Sequence, residues 1–163
     1  GARIAKRQGK ATVEDPLQEF VEEMNREAIR LGMTQSFFVN TSGLTAEKHK
    51  SSCEDLVLLA REAMKDELFR KVVSTRQHGA TVSSVAGYSR NLIWTNTNPL
   101  LKTEGYVGIK TGTTDAAGAC LVSCSERDGK TLFVVILGAS GSPAREADSR
   151  NLHRYGWQLM QAP

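Results

Sequence analysis

No apolar run in this chain approaches membrane-spanning length, and the opening residues, GARIAKRQ, do not read as a secretory signal. Cysteine is scarce. Cys53, Cys120 and Cys124 show no zinc-ligand spacing, and no metal site follows from them. Cys120 and Cys124 lie four apart in a strand-like stretch, on one face but too distant to bridge each other in an extended chain. All three read as small buried residues. Aromatics are only 6% of the chain, and the basic residues are not interleaved with them, which argues against nucleic acid as a partner. The net charge of +3 is mild and leans only weakly towards an acidic ligand. Low-complexity tracts and internal repeats are absent, so a linker array or a solenoid is excluded.

What is present suits one domain. A chain of 163 residues, if complete, buries about 70% of its unfolded surface. Residues 1–14 are basic and weakly periodic, reading as a linker or the end of a preceding helix. From Asp15 a helix is clear. Asp15 can cap it, Pro16 suits its first position, and Gln18 is placed for a capping box. Leu17, Phe20, Val21, Met24, Ala28 and Leu31 follow the helical repeat, and Gly32 ends it. FFVNTSGL is a loop. A second helix starts near Ser51 or Ser52 and turns Leu56, Leu59, Ala60 and Ala63 inwards. Residues 71–86, around His78-Gly79-Ala80, suggest a small hairpin, and NTNPLL at 96–101 is a loop.

Three strands are expected at 106–112, 119–125 and 131–137, the last two joined by Asp128-Gly129, a hairpin signal. TLFVVILG is nearly all apolar, which predicts a central strand covered on both faces. Ser142-Pro143 opens a last helix with Leu152, Tyr155, Leu159 and Met160 along one side. The order is helices, an antiparallel meander and a helix, an α+β pattern. These helices supply too little cover for the third strand. The sheet therefore continues with strands from elsewhere, or the chain dimerises.

YVGIKTGTTD, residues 106–115, carries the chemistry. A phosphate loop needs glycine directly before its lysine, but Ile109 separates Gly108 from Lys110, and no helix former follows. An exposed lysine on an edge strand is the bland alternative. The third is the Lys-Thr-Gly strand that borders the cleft of penicillin-recognising serine enzymes. There lysine supplies fixed positive charge, glycine admits the substrate backbone, and the next N–H serves an oxyanion.

The stretches FVEEMNREAIRLGM, FVNTSGL, EDLVLLAREAM, NTNPLL, GYVGIKTGTTDAAGACLVSCSERDG, LFVVILGA and READSRNLHRYGW occur in that order. Together they resemble the later part of a serine D-alanyl-D-alanine carboxypeptidase, a low-molecular-mass penicillin-binding protein, over roughly residues 17–157. FVNTSGL has Thr-Ser where the family has Pro-His. The resemblance implies an antiparallel sheet flanked by helices, of the penicillin-binding and β-lactamase kind, with residues 15–163 as the C-terminal part of its catalytic domain. It implies a catalytic wall of Lys110, Thr111, Gly112 and Thr113, with Arg145 meeting the substrate's terminal carboxylate. The alternative for Arg145 is a solvated side chain in a helix's first turn.

No serine here is followed by lysine three residues later, so the family's Ser-x-x-Lys nucleophile motif is missing, as is its Ser-x-Asn motif upstream of the first clear helix. The tripeptide SRN at 89–91 and at 149–151 lies in the wrong place relative to Lys110. Asp55, Asp66, Asp115, His49, His78 and His153 form no triad with a serine, and His153 reads as packing or surface. The fold is therefore expected to be incomplete without an N-terminal part, which would carry the nucleophile and travel as a partner fragment. The resemblance further implies peptidoglycan stem peptide as substrate, β-lactams as acylating inhibitors, no cofactor, and a location in the cell envelope. A non-catalytic module that binds cell-wall peptide or serves as a scaffold is the rival reading.

Overall fold

The computed structural model describes residues 15–161; the basic stretch 1–14 lies outside the described residues. Helix α1 (Pro16–Arg30) starts as its sequence dictates. Asp15 Oδ1 accepts the Leu17 and Gln18 amides at 2.8 and 3.1 Å, and proline occupies the first turn. It ends in a Schellman turn: Met33 N donates to Ala28 O, Gly32 N donates to Ile29 O, and Gly32 takes φ 78°. Val21 and Ala28 of the expected stripe are buried, but Leu17 and Phe20 are exposed in this chain. Helix α2 (Cys53–Ala63) is capped by Ser52, and Ala60 is buried on it. Cys53, at its first residue, is exposed rather than buried.

A short helix α3 (Glu67–Ser74), capped by Asp66, occupies part of the stretch expected to be hairpin. The hairpin itself is larger and shifted. Strand β1 (Gln77–Ser83) pairs with β2 (Ser89–Thr95), and His78-Gly79-Ala80 lies within β1 instead of at the turn. A 3-10 turn (Pro99–Lys102) follows, its cap Asn98 accepting the Leu100 amide. Strands β3 (Tyr106–Thr114), β4 (Gly118–Arg127) and β5 (Lys130–Ala139) form the antiparallel meander in the order β3-β4-β5. Asp128 and Gly129 take φ 49° and 72°, the left-handed pair that a two-residue hairpin turn needs. Helix α4 (Ser142–Gln161) closes the chain.

The meander lies between helical layers. On one face, Ala60 and Met64 pack with Cys124, Val122 and Phe133, in a core that also takes in Ile109, Phe69, Val73 and Val107. On the other, α4 packs through Arg145, Ser149, His153 and Trp157, four residues apart in succession. Leu152, Tyr155, Leu159 and Met160 do share a side of α4, but it is the exposed side. Sheet-facing polarity explains this, because β4 offers Ser123 and Ser125 to the helix. The expectation that the strand around 131–137 is central fails within this chain. β5 is an edge strand paired only with β4, and Leu137 is exposed. Its only strand neighbour among the described residues is the one that precedes it in the meander.

Candidate active site

Strand β3 is the other edge of the meander. Alternate N–H and C=O groups on its outer side therefore have no ladder partner, and an extended peptide can add there. Cross-strand partners share a face of a sheet. Lys110 stands opposite Val122 and Gly112 opposite Cys120, so both rise on the face that carries α2. The Lys110 side chain is exposed and its Nζ donates to the Thr111 carbonyl. A Cβ added at Gly112 would meet nothing within 4 Å. The glycine thus leaves an open approach to the backbone beside the lysine.

Thr111 is buried, and its hydroxyl shares a 2.6 Å hydrogen bond with that of Thr97 in the NTNPLL segment. Asn98 Nδ2 donates to Gly108 O at 3.0 Å, so the same segment braces β3 twice. At the far end, the hydroxyls of Thr114 and Thr45 meet at 2.7 Å, which ties the FVNTSGL loop to the end of the strand. Within that loop the Asn40 side chain accepts the amides of Ser42 and Gly43 and donates to Leu44 O. The chain spacing carried no signal for the two threonine–threonine contacts.

Arg145 is not a solvated side chain. It is 5% exposed and reaches from the first turn of α4 beneath the β3–β4 pair. Its Nη1 donates to Cys120 O at 3.3 Å, Thr113 Oγ1 at 3.4 Å and Gly112 O at 3.5 Å, while Nη2 donates to Ser142 Oγ at 3.2 Å. Nε is buried without a partner. No carboxylate pairs with this guanidinium among the described residues. A buried, uncompensated cation is costly, and an anion held nearby relieves the cost. Because Arg145 donates to the Thr113 oxygen, the Thr113 hydroxyl hydrogen is free to point at an acceptor on the exposed side. Lys110 and Arg145 thus place positive charge on both sides of Gly112 and Thr113.

Behind the wall, His153 is almost fully buried as a packing residue. Its Nε2 lies 2.9 Å from Ser123 Oγ and its Nδ1 2.8 Å from Ser125 Oγ. Burial, helped by Arg127, lowers its pKa from 6.5 to about 4. Burial likewise pushes the Cys124 thiol up to about 12, so it is an inert packing group. Among the described residues, no cluster of three or more His, Cys, Asp or Glu side chains could hold a metal ion.

Solved structures share this fold. The chain superposes on the DD-transpeptidase of Streptomyces K15 with a TM-score of 0.81 and 37% identity, covering 86% of this chain and 54% of that one. It superposes on penicillin-binding protein D2 of Listeria monocytogenes in its cefotaxime-bound form with a TM-score of 0.70 and 32% identity, covering 85% and 55%. Fold and Lys-Thr-Gly edge strand therefore place the chain in the class of penicillin-binding and transpeptidase structures.

Within that class the chain belongs to the D-alanyl-D-alanine carboxypeptidase family, which residues 13–141 match. The D-alanyl-D-alanine carboxypeptidase of Streptomyces sp. (strain K15) is 34% identical over 145 residues, 88% of this chain and 50% of that protein. The D-alanyl-D-alanine carboxypeptidase DacF of Bacillus subtilis (strain 168) is 34% identical over 131 residues, 80% of this chain and 33% of that protein. The chain thus spans half or less of the length of these relatives.

Proposed function

We propose that the complete protein is a serine-type D-Ala-D-Ala carboxypeptidase that trims peptidoglycan stem peptides outside the cytoplasmic membrane, and that this chain supplies one wall of its cleft. A serine on an N-terminal part attacks the penultimate D-Ala carbonyl. The peptide C–N bond breaks, D-alanine leaves with a proton delivered to its nitrogen, and water hydrolyses the acyl-enzyme. Lys110 supplies charge beside the nucleophile, and the Thr113 N–H serves the developing oxyanion. Gly112 lets the substrate backbone lie against β3. Arg145, with the Thr113 hydroxyl it orients, recognises the terminal carboxylate. β-Lactams acylate the same serine.

Family membership supports the reaction class, and one observation carries the residue roles: a buried guanidinium without a carboxylate partner directly behind Thr113. The free edge of β5 and the exposed apolar side of α4 support a missing N-terminal part as the partner that completes the domain. No helix among the described residues is long and apolar enough to cross a membrane.

The test uses the complete protein and its Arg145→Ala variant, each with a D-Ala-D-Ala peptide and its carboxyl-esterified analogue. A charge-assisted contact is usually worth about 1.5–3 kcal/mol. The free acid is expected to lose roughly ten- to hundredfold in kcat/KM, and the ester to be nearly unchanged. Equal losses for both substrates would make Arg145 a structural support. No D-alanine release by the unaltered protein would remove the carboxypeptidase reading.

A further inference from the structure

Between Glu67 and Glu104 the sequence has no acidic residue, while Arg70, Lys71, Arg76, Arg90 and Lys102 fall there. Arg70 reaches Glu126, but Lys71, Arg76 and Arg90 have no ion pair among the described residues. This segment folds into α3 and the β1–β2 ribbon, and the two enclose a groove lined by Leu68, Lys71, Val72, His78, Trp94 and Thr95. Its floor is apolar and open to solvent. Trp94 is 50% exposed with His78 stacked on it, ring centroids 6.2 Å apart and planes 18° from parallel. Leu68 and Val72 flank them, both exposed. The rim is rich in donors. Neither the Trp94 ring N–H nor the Lys71 ammonium has a hydrogen-bond partner among the described residues.

The groove is continuous with the candidate site. β2 ends at Thr95. Two residues on, Thr97 holds the Thr111 hydroxyl, and Asn98 holds the carbonyl of Gly108 on β3. A ligand lying along α3 and the ribbon therefore arrives at the Lys-Thr-Gly strand.

We propose that this groove is a subsite for the glycan strand that carries the stem peptide, a proposal that rests on the peptidoglycan reading of the Lys110 site. Three features select a glycan over other occupants. A recessed floor suits a chain more than a flat bilayer. An exposed indole offers the C–H face of a sugar ring a surface to stack on. Unpaired donors and cations suit the acetamido oxygens and carboxylates of such a polymer, and the lack of acidic residues leaves nothing to repel them. Catalysis and recognition are then divided: β3 and Arg145 read the peptide's end, while the ribbon and α3 read the strand to which it is attached.

The experiment uses the complete protein and has two arms. In the first, peptide-free glycan strands are titrated by calorimetry into each protein, and tryptophan emission is followed in the unaltered protein and in Lys71→Glu. Binding is expected to quench the emission and to weaken about tenfold or more in Trp94→Ala and in Lys71→Glu. In the second, kcat/KM is measured on a free pentapeptide and on glycan strands bearing it. The unaltered protein is expected to favour the strand-borne substrate, and both variants to lose that preference while keeping the free-peptide rate. Retention of that rate also certifies the variants' fold.

Failure of turnover on both substrates, with glycan binding intact, would sink the carboxypeptidase reading and leave the groove as a glycan site. The subsite is overturned if peptide-free strands do not bind, or bind both variants as tightly as the unaltered protein. It is also overturned if anionic phospholipid vesicles bind in a Trp94-dependent way and glycan does not, because the groove would then be a membrane contact.

Discussion

A histidine buried between two serines has few ways to satisfy its ring. Trp157 Nε1 donates to Ser125 Oγ at 2.9 Å, so the Ser125 hydrogen is directed to His153 Nδ1. Ser123 Oγ donates to Val134 O and therefore accepts from His153 Nε2–H. This arrangement requires the neutral ring. A second proton would sit on Nδ1 facing a hydroxyl that already accepts from Trp157 and would lose its own acceptor. The folded pKa of about 4 lies below the unfolded 6.5, so the unfolded chain binds the extra proton first. The stabilisation from His153 is thus full above about pH 6.5 and drains away as pH falls towards 4. It amounts to on the order of 3 kcal/mol over that window, at 1.36 kcal/mol per pKa unit. Urea midpoints from pH 7.5 to 4 should fall for the unaltered protein. His153→Gln should start lower at pH 7.5 and fall less steeply. Parallel curves for the two proteins would show that another group carries the acid sensitivity.

Elements were legible in the sequence where the buried pattern and the turn chemistry agreed. Asp15 and Ser52 cap the helices expected of them, and Asp128-Gly129 turns β4 into β5. Lys110 could be placed on a strand because that strand is followed at once by a clear neighbour. The ribbon was misplaced because both its faces are largely exposed, leaving no alternation to fix its register. Helix α3 hides behind the β-branched Val72 and Val73, and tertiary packing of Val73 against Gly108 overrides their propensity. Helix α4 shows an apolar stripe on its exposed side, since its packed side answers the serines of β4 with serine, histidine and arginine. A periodicity argument finds the stripe but cannot say which side faces the sheet. Gly118, at the start of β4, shows how tightly the turn out of β3 is constrained. It takes φ 67°, and a Cβ there would lie 2.8 Å from Ala139 O, a backbone atom of β5. Gly118→Ala should therefore cost more than the ~1 kcal/mol of a left-handed alanine alone, read as a lower urea midpoint. Gly43→Ala, equally left-handed but with nothing within 4 Å, is the control for the conformational cost. Equal losses at the two sites would mean that the approach of β5 adds nothing.

At the scale of the whole molecule, several apolar surfaces besides the groove are left without cover among the described residues, including the outer edge of β5, the Leu152–Tyr155–Leu159 side of α4, and Leu17 with Phe20 on α1. Surfaces of this kind on a monomer invite pairing with another segment. The chain spans half the length of the Streptomyces relative it matches, and the N-terminal part proposed above would cover them. The chemistry points the same way. Lys110 and Arg145 supply positive charge and Thr113 an N–H, but no serine lies three residues before a lysine to act as nucleophile. On the proposed reading, a wall that would stabilise an oxyanion has nothing to act on until an acyl group is delivered to it. Residues 1–163 alone are therefore expected to form no covalent adduct with a fluorescent penicillin. Mixed or co-expressed with its N-terminal portion, the chain should restore labelling, with the fluorophore on the other fragment after denaturing electrophoresis. Lys110→Ala in this chain should then slow labelling of that partner, by roughly the hundred- to thousandfold typical of removing one preorganised electrostatic group from a reacting centre. A stable label on residues 1–163 would place the nucleophile in this chain and overturn the division. Full labelling speed with Lys110→Ala would return Lys110 to an ordinary lysine on an exposed edge strand.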